Sequence, residues 1–286
     1  MDGIVFLNGK YLKADKAKVS IFDRGYIFGD GIYEVVPVIN YTALDREPFL
    51  ERLDRSLREL DLKWPMSKNK FLKMIDKLIK KNDIKEGGVY MQITRGVAYR
   101  DFAYPKNIPT TCTAFAFKKD IINNDYVSNG VKVITLEDIR WKRRDIKSIA
   151  LVGQCMIKEQ VKRRGAYEGL MVEDGFITEG ASSSAYIVKD NIIITRPLSN
   201  SILPGIRRKI LLEIASKHDI KTEERLFTTK EALNADEAFL SSATTFVLPI
   251  VEIDGKKIGN GKPGPIFLKM RKMYIESTLK SAGISL

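Results

Sequence analysis

The chain has 286 residues, of which 44% are hydrophobic and 29% are charged, and its net charge is +12. This length allows one large domain or two of ordinary size, and the composition excludes a disordered chain. Two cysteines exclude a disulfide scaffold and favour a reducing cytoplasm. No run approaches the roughly 18 apolar residues of a membrane helix. The one histidine, His218, excludes the usual zinc sites and argues against a Ser-His-Asp triad.

The first third of the chain predicts a mixed arrangement of strands and helices. Asn8-Gly9 between two apolar runs is typical of a β-hairpin, and apolar side chains spaced three and four apart predict amphipathic helices. The predicted elements are a hairpin at 4–12, a strand at 32–39, helices at 48–60 and 71–79, and strands at 89–94 and 113–117.

The segment 118–129 is polar and has no periodicity, which predicts a linker. It would join a small N-terminal domain, 1–117, to a larger C-terminal domain, 130–286. The second half carries many short β segments, and helices are predicted near 154–164, 205–218 and 263–280. Because strands and helices do not alternate regularly, a parallel doubly wound sheet is disfavoured and an α+β fold is predicted.

The net charge of +12 leaves one alternative that is not an enzyme, a basic nucleic-acid-binding protein. The lysines are spread among acids, as in KKNDIK, and no basic stripe is interleaved with aromatic residues. A lysine-rich solvated surface accounts for such a charge. We therefore expect neither a nucleic acid nor a membrane as partner.

Lys147 is the strongest candidate for a nucleophile. It follows Arg140, Lys142, Arg143 and Arg144 and precedes an apolar stretch. An amine that is desolvated or lies in a positive field loses its proton more readily and becomes nucleophilic. Taken alone, however, this pattern favours an ordinary solvated lysine.

Three further segments offer complementary chemistry. The segment 178–184 combines Glu179, which can face a ring nitrogen, with small residues that let a backbone approach a ligand closely. The helix expected after Gly205 begins beside Arg207 and presents N–H groups to an anion. The hydroxyls and amides of 241–245 can also donate hydrogen bonds to that anion. One lysine, one carboxylate and one anion cradle describe a pyridoxal-phosphate site.

The segments that carry this chemistry resemble those of class IV (fold type IV) pyridoxal-phosphate aminotransferases, and most closely the bacterial D-amino-acid (D-alanine) transaminases. They span most of the chain and keep the family's order, which is far more specific than any single motif. The resemblance implies a two-domain α+β fold, with the cofactor at the domain interface, and a homodimer. The matching stretches are DRGYIFGDGIYEVVPV at 23–38, QITRG at 92–96, EDIRWKRRDIKSIALVGQ at 137–154, ITEGASSSAYIV at 177–188, ILPGIRRKIL at 202–211 and FLSSATTFVLPI at 239–250.

The resemblance implies a role for each matching residue. Lys147 forms a Schiff base with pyridoxal 5'-phosphate and shuttles the proton, and Glu179 pairs with the pyridine nitrogen. Tyr33 lines the substrate pocket, and Arg100 reaches across the dimer interface to the substrate carboxylate. No metal is implied. The other residues implied to bind the cofactor are Arg52, Ser182, Ser183, Gly205, Ile206, Arg207, Ala243 and Thr244.

Four positions depart from the D-amino-acid transaminase pattern. Phe102 stands where a histidine usually lies beside the carboxylate-binding arginine, so it bears on substrate recognition. Phe49 and Ser184 stand where His and Asn are common, and Arg207 replaces a threonine.

The expected reaction transfers the amino group of D-alanine, or another D-amino acid, to a 2-oxo acid such as 2-oxoglutarate. A branched-chain L-amino-acid or (R)-amine transaminase, and then an aminodeoxychorismate lyase, are the alternatives within the class.

Overall fold

A computed structural model describes residues 3–284, which fall into two compact units. The first contains 3–120, 146–151 and 279–284, and the second contains 121–145 and 152–278. The main boundary lies inside the segment 118–129 that was predicted as a linker. The sequence predicted two contiguous domains, 1–117 and 130–286. In the structure, residues 146–151 and 279–284 belong to the first unit, so neither unit is contiguous in sequence. Helices and sheets in both units confirm the α+β fold class.

The first unit is built on a six-stranded sheet whose paired neighbours are all antiparallel. The predicted hairpin is confirmed, and its turn residues Asn8 and Gly9 have φ of 45° and 88°, in the left-handed region that such turns require. The strands are β1 (Ile4–Leu7), β2 (Lys10–Lys13), β3 (Gly31–Ile39), β4 (Thr42–Ala43), β5 (Glu86–Thr94) and β6 (Thr111–Lys118), in the spatial order β2-β1-β6-β5-β3-β4.

Three helices accompany this sheet: α1 (Arg24–Phe28), α2 (Arg46–Glu59) and α3 (Lys68–Lys81). The N-cap residue of helix α3 is Ser67, whose side chain accepts a hydrogen bond from the amide of Lys70. Helix α2 contacts β3, and α3 contacts β1, β4, β5 and β6. The predicted apolar spacing is confirmed, because the residues that α3 buries are Phe71, Met74, Ile75, Leu78 and Ile79.

The second unit is built on a mixed sheet of nine strands within its described residues. The pairs β7–β8, β7–β14 and β11–β12 are parallel, and the other paired neighbours are antiparallel. The strands are β7 (Val131–Glu137), β8 (Glu168–Glu173), β9 (Phe176–Gly180), β10 (Ser184–Lys189), β11 (Ile192–Thr195), β12 (Thr222–Glu224), β13 (Glu237–Ser242), β14 (Phe246–Ile253) and β15 (Lys256–Lys257). Their spatial order is β12-β11-β10-β13-β14-β7-β8-β9, and β15 pairs with β14.

The remaining helices confirm the three predicted in the second half of the chain and add two short ones. Helix α4 forms inside the predicted linker, where Asn124 caps it by accepting from the amide of Tyr126. His218 is the C-cap residue of α6. Over residues 3–284, no helix is both long and apolar enough to span a bilayer. The helices are α4 (Asp125–Asn129), α5 (Val152–Arg163), α6 (Ile206–Lys217), α7 (Thr229–Leu233) and α8 (Pro265–Ser281).

Candidate active site

Main-chain hydrogen bonds fix the segment that carries Lys147 beside strand β3. The amide of Tyr33 donates to the carbonyl of Lys147 at 2.9 Å, and the amide of Ile149 donates to the carbonyl of Gly31 at 3.1 Å. The same stretch of β3 also pairs with β5. These hydrogen bonds form an isolated bridge between Ile32 and Ser148, so the main chain around Lys147 is held against β3.

The amine of Lys147 lies over an aromatic ring. Its Nζ is 4.1 Å from the ring centroid of Tyr33, whose ring stacks on Tyr90 at 5.6 Å. Burial, followed by the charge of Tyr33, raises the pKa of Tyr90 to about 12. Among the described residues, no hydrogen bond or ion pair engages this Nζ. The structure thus brings together two predicted site residues, Lys147 and Tyr33, and leaves the amine available for attack on a carbonyl.

Glu179 is the next-to-last residue of strand β9 and is buried. Its Oε1 accepts from Nη1 of Arg140 at 2.6 Å, and both its oxygens accept from the amide of Leu203 at 3.2 Å. Burial raises the pKa of Glu179 above its ordinary value, although the charge and hydrogen bond of Arg140 and the amide of Leu203 act in the opposite direction. A buried carboxylate with unfilled acceptor sites is suited to a positively charged N–H partner.

The basic run before Lys147 does not form the positive field that the sequence predicted, because each basic side chain has an acidic partner. Arg140 pairs with Asp138 and Glu179, Lys142 and Arg144 pair with Glu173, and Arg143 pairs with Asp145. That interpretation is therefore corrected. A sequence shows where charges are, but it does not show which charges the fold pairs.

Ser182 and Ser183 gather around a carboxylate that sequence reasoning missed. Their hydroxyls donate to Oε2 of Glu168 at 2.9 and 3.2 Å. Glu168 is buried at the start of β8, and its Oε1 pairs with Nζ of Lys158 at 2.7 Å. It stands at the head of the run EGLMVE, and no motif or spacing set it apart. These contacts position the loop that follows Glu179.

The predicted anion site lies at the start of helix α6. Gly205 is its N-cap residue, and no described side chain caps it. A β-carbon at position 205 would lie 2.7 Å from the hydroxyl oxygen of Ser184, so a larger residue there would displace that hydroxyl. Ile206 and Arg207 form the buried first turn, and Nε of Arg207 donates to the hydroxyl of Tyr274 at 3.1 Å. Such a helix start favours an anion.

Ala243 and Thr244 form the turn between strands β13 and β14. Both are half-buried, and the hydroxyls of the flanking Ser242 and Thr245 lie 2.7 Å apart in a hydrogen bond. This bond closes the turn, which keeps its amides and hydroxyls in a defined arrangement.

Arg52 is buried on helix α2 and faces an acid of strand β3. Its Nε and Nη2 donate to the two oxygens of Glu34 at 2.8 and 2.7 Å. Sequence reasoning missed Glu34, which is only 1% exposed. The predicted phosphate arginine is therefore held in a fixed orientation by a paired carboxylate.

Arg100 lies in an exposed loop of the first unit. Its guanidinium carbon is 5.6 Å from the ring centroid of Phe28 and 5.1 Å from that of Phe102. Phe102 is 76% exposed and lies 5.5 Å from the ring of Phe28. Arg24 stabilises the neighbouring loop residues by donating hydrogen bonds to the carbonyls of Asp101 and Phe102. The departure Phe49 lies elsewhere, in the core against Phe71.

These residues fit pyridoxal 5'-phosphate by the chemistry they present. The amine of Lys147 has no acidic partner among residues 3–284, Glu179 is a buried carboxylate with acceptor capacity left, and α6 begins without a capping side chain. An aldehyde, a protonated ring nitrogen and a phosphate are the groups that these three features would bind. No cluster of three or more His, Cys, Asp and Glu side chains in the described part of the chain is arranged to hold a metal ion.

Comparisons with known proteins agree with this chemistry. The profile of the family described as amino-transferase class IV matches residues 31–253. The chain is 40% identical to the D-alanine aminotransferase of Staphylococcus haemolyticus over 277 residues, which are 96% of this chain and 98% of that one. It is 37% identical to the enzyme of the same name from Bacillus licheniformis, over 92% of each chain.

A solved structure shares the fold at low sequence identity. The branched-chain amino acid aminotransferase of Escherichia coli superposes with a TM-score of 0.91 at 20% identity, over 96% of this chain and 94% of that one. This confirms the fold type expected from the sequence. The chain belongs to the class IV aminotransferase family, whose enzymes depend on pyridoxal 5'-phosphate.

Proposed function

We propose that this enzyme transfers the amino group of D-alanine, or another D-amino acid, to a 2-oxo acid such as 2-oxoglutarate. The observation that carries the proposal is the 40% identity to a D-alanine aminotransferase along nearly the whole chain. The amine of Lys147, fixed beside Tyr33 and without an acidic partner among residues 3–284, supports the same reaction.

Lys147 and Glu179 carry the central roles in this proposal. The bound cofactor supplies an electron sink for the bond that breaks at the α-carbon of the amino acid. Lys147 Nζ would hold the cofactor covalently and, when its amine is free, would accept the proton from the α-carbon of the amino acid. The buried Glu179 carboxylate holds a proton on the ring nitrogen, because opposite charges attract strongly where water is excluded.

The phosphate is proposed to bind to a set of amides, hydroxyls and a guanidinium. Helix starts and arginine forks are the groups that bind phosphate best in proteins. Ser182 and Ser183 support the loop beside Glu179 through Glu168. The proposed phosphate residues are Arg52, Gly205, Ile206, Arg207, Ala243 and Thr244.

Tyr33 and Arg100 are proposed to bind the substrate. A guanidinium can hold a carboxylate through two parallel hydrogen bonds. Phe102 offers no donor beside Arg100, and removing a donor to a charged group typically costs about 1.5–3 kcal/mol. We therefore expect weaker selection for a carboxylate than a histidine at this position would give.

We also propose that the functional unit is a homodimer in the cytoplasm. The segments 22–26 and 99–104 of the first unit expose large aromatic side chains, and exposed apolar patches are typical of interaction surfaces. The free cysteines Cys112 and Cys155 suit a reducing compartment. The exposed aromatic residues are Phe22, Tyr26, Tyr99, Phe102 and Tyr104.

A panel of amino donors tests the substrate assignment. The enzyme should convert D-alanine with 2-oxoglutarate to pyruvate and D-glutamate faster than it uses L-leucine, L-valine or an (R)-amine. Chiral chromatography of the products identifies the enantiomer. A preference for L-leucine or L-valine would replace the proposal with a branched-chain transaminase. Release of pyruvate from aminodeoxychorismate, without amino transfer, would replace it with the lyase.

A further inference from the structure

Asp138 lies behind Glu179 and is not among the residues assigned to the site above. Its side chain is 0% exposed. Oδ1 accepts from Nε of Arg140 at 2.9 Å, and Oδ2 accepts from Nη2 of Arg140 at 2.8 Å and from the hydroxyl of Thr178 at 2.7 Å. A fully buried carboxylate with this many donors is held in one orientation and in its charged form.

The orientation of Arg140 follows from these contacts. The edge of the guanidinium formed by Nε and Nη2 is committed to Asp138, so only Nη1 reaches Glu179, at 2.6 Å. Glu179 therefore receives a single arginine hydrogen bond in place of a two-pronged one. The acceptor sites that this leaves on Glu179 are those that a ring N–H would use.

The charges of Asp138, Arg140 and Glu179 also favour a ring N–H as the partner of Glu179. Asp138, Arg140 and Glu179 together carry two negative charges and one positive charge. Without Asp138, the guanidinium would neutralise Glu179, and no net charge would remain for a protonated ring. With Asp138, one negative charge is left over, and it acts in a buried setting where charge interactions are strong.

The ionisation of both acids supports this assignment. Burial pushes the pKa of Asp138 upward, but the hydrogen bonds and charges of Arg140, Thr178 and Arg144 outweigh it, so the pKa lies below its ordinary value. Burial raises the pKa of Glu179, and the nearby charge of Asp138 adds to that rise. A cationic N–H partner would therefore favour the charged form of Glu179, which burial and the charge of Asp138 disfavour.

Three further charged side chains lie around this group. Arg144 contacts Asp138 at 3.3 Å and Glu173 at 2.7 Å, and Arg196 is half-buried and donates to the carbonyl of Ile177. Arg144 binds Glu173 through two nitrogens, so that acid matches its charge. Lys142 also contacts Glu173, but its side chain is 87% exposed, and water screens its charge.

We propose that Asp138 is a positioning residue that orients and neutralises Arg140, so that Glu179 keeps the negative charge that holds a protonated cofactor ring nitrogen. The inference rests on the proposed function. It adds Asp138 as a residue that acts on the cofactor through Arg140 and Glu179.

The test compares two ligands of the enzyme freed of cofactor: pyridoxal 5'-phosphate and its 1-deaza analogue, in which carbon replaces the ring nitrogen. Equilibrium dialysis gives the Kd of each ligand, and the ratio of the two Kd values measures how much the ring nitrogen contributes to binding. Asp138→Asn keeps the shape of the side chain and removes its charge. Glu237→Gln is the matched control, since Glu237 is also a buried acid of the second unit and accepts from the amides of Ile266 and Phe267.

We expect wild type to favour the natural cofactor, and Asp138→Asn to reduce that preference about tenfold, the usual scale for a lost charged partner. Glu179→Gln should reduce the preference at least as much, and Glu237→Gln should leave it unchanged. An unaltered ratio in Asp138→Asn, with both ligands weakened equally, overturns the inference and leaves the proposed function intact.

If Asp138→Asn does not fold, Thr178→Val decides the question, because it removes one donor to Asp138 and keeps the side-chain shape. A reduced ratio in that variant supports the inference, and an unchanged ratio overturns it. If wild type binds neither ligand, the proposed function fails and the inference fails with it.

Discussion

Replacing Glu34 with glutamine removes one charge from a buried ion pair and almost no volume. Glu34 and Arg52 are 1% and 9% exposed in their side chains, and two hydrogen bonds of 2.8 and 2.7 Å join them. The chain offers a matched control in Asp76→Asn. Asp76 also accepts two hydrogen bonds from one arginine, Arg46, but the two side chains are 37% and 38% exposed.

The exposure of the two pairs sets the expected cost of each substitution. Breaking a buried pair by removing one charge destabilises a protein by about 3–5 kcal/mol, because the other charge stays in a poorly solvated place. Breaking a pair that water reaches costs about 0–1 kcal/mol. With a shift of about 2 °C in Tm for each kcal/mol in a chain of this size, Glu34→Gln should lower Tm by about 6–10 °C. Asp76→Asn should lower it by less than about 2 °C.

Calorimetry of both variants without and with saturating pyridoxal 5'-phosphate tests the reasoning. If Arg52 binds the phosphate, the phosphate replaces part of the missing charge, and the deficit of Glu34→Gln shrinks when cofactor is present. Equal losses in the two variants would refute the argument from burial. A deficit in Glu34→Gln that cofactor does not change would count against Arg52 as a phosphate residue.

Three further predictions concern single side chains. Arg100→Ala should reduce kcat/KM for D-alanine by at least about tenfold but spare an amine without a carboxylate; equal losses on both substrates would remove Arg100 from carboxylate recognition. Glu179→Gln should lower kcat far more than it weakens cofactor retention, and an unchanged kcat in stopped-flow turnover would contradict its role. The pKa of Glu173 is lowered from 4.5 to about 2, chiefly by hydrogen bonds from Arg144. The charged Glu173 therefore stabilises the fold above pH 4.5, and this stability is lost as the pH falls towards 2. Glu173→Gln should make the acid limb of urea-unfolding stability shallower, and an unchanged limb would contradict that pairing.

The sequence predicted what depends on neighbours along the chain. The turn at Asn8 and Gly9 needs a left-handed backbone that these residue types adopt readily, so the hairpin could be predicted from two residues. The buried face of α3 followed from apolar spacing in the same way. The family followed from motif order, because many matches along one chain are more specific than a local pattern.

What the sequence did not predict depends on contacts between distant residues. Arg140 and Glu179 are 39 positions apart, and Arg52 and Glu34 are 18 apart, with no repeated spacing to link them. The run before Lys147 looked uniformly basic for the same reason. Residues 146–151 are joined to β3 by main-chain hydrogen bonds, to which any residue can contribute a carbonyl and any residue except proline an N–H.

Covalent attachment of the cofactor to Lys147 is the most direct test of the central claim. The enzyme loaded with pyridoxal 5'-phosphate is reduced with borohydride and digested, and the peptides are analysed by mass spectrometry. We predict that the reduced cofactor is found on the peptide containing Lys147, and that Lys147→Ala binds cofactor without retaining the label and loses nearly all turnover. Label on a different lysine, or normal transamination by Lys147→Ala, would contradict the account.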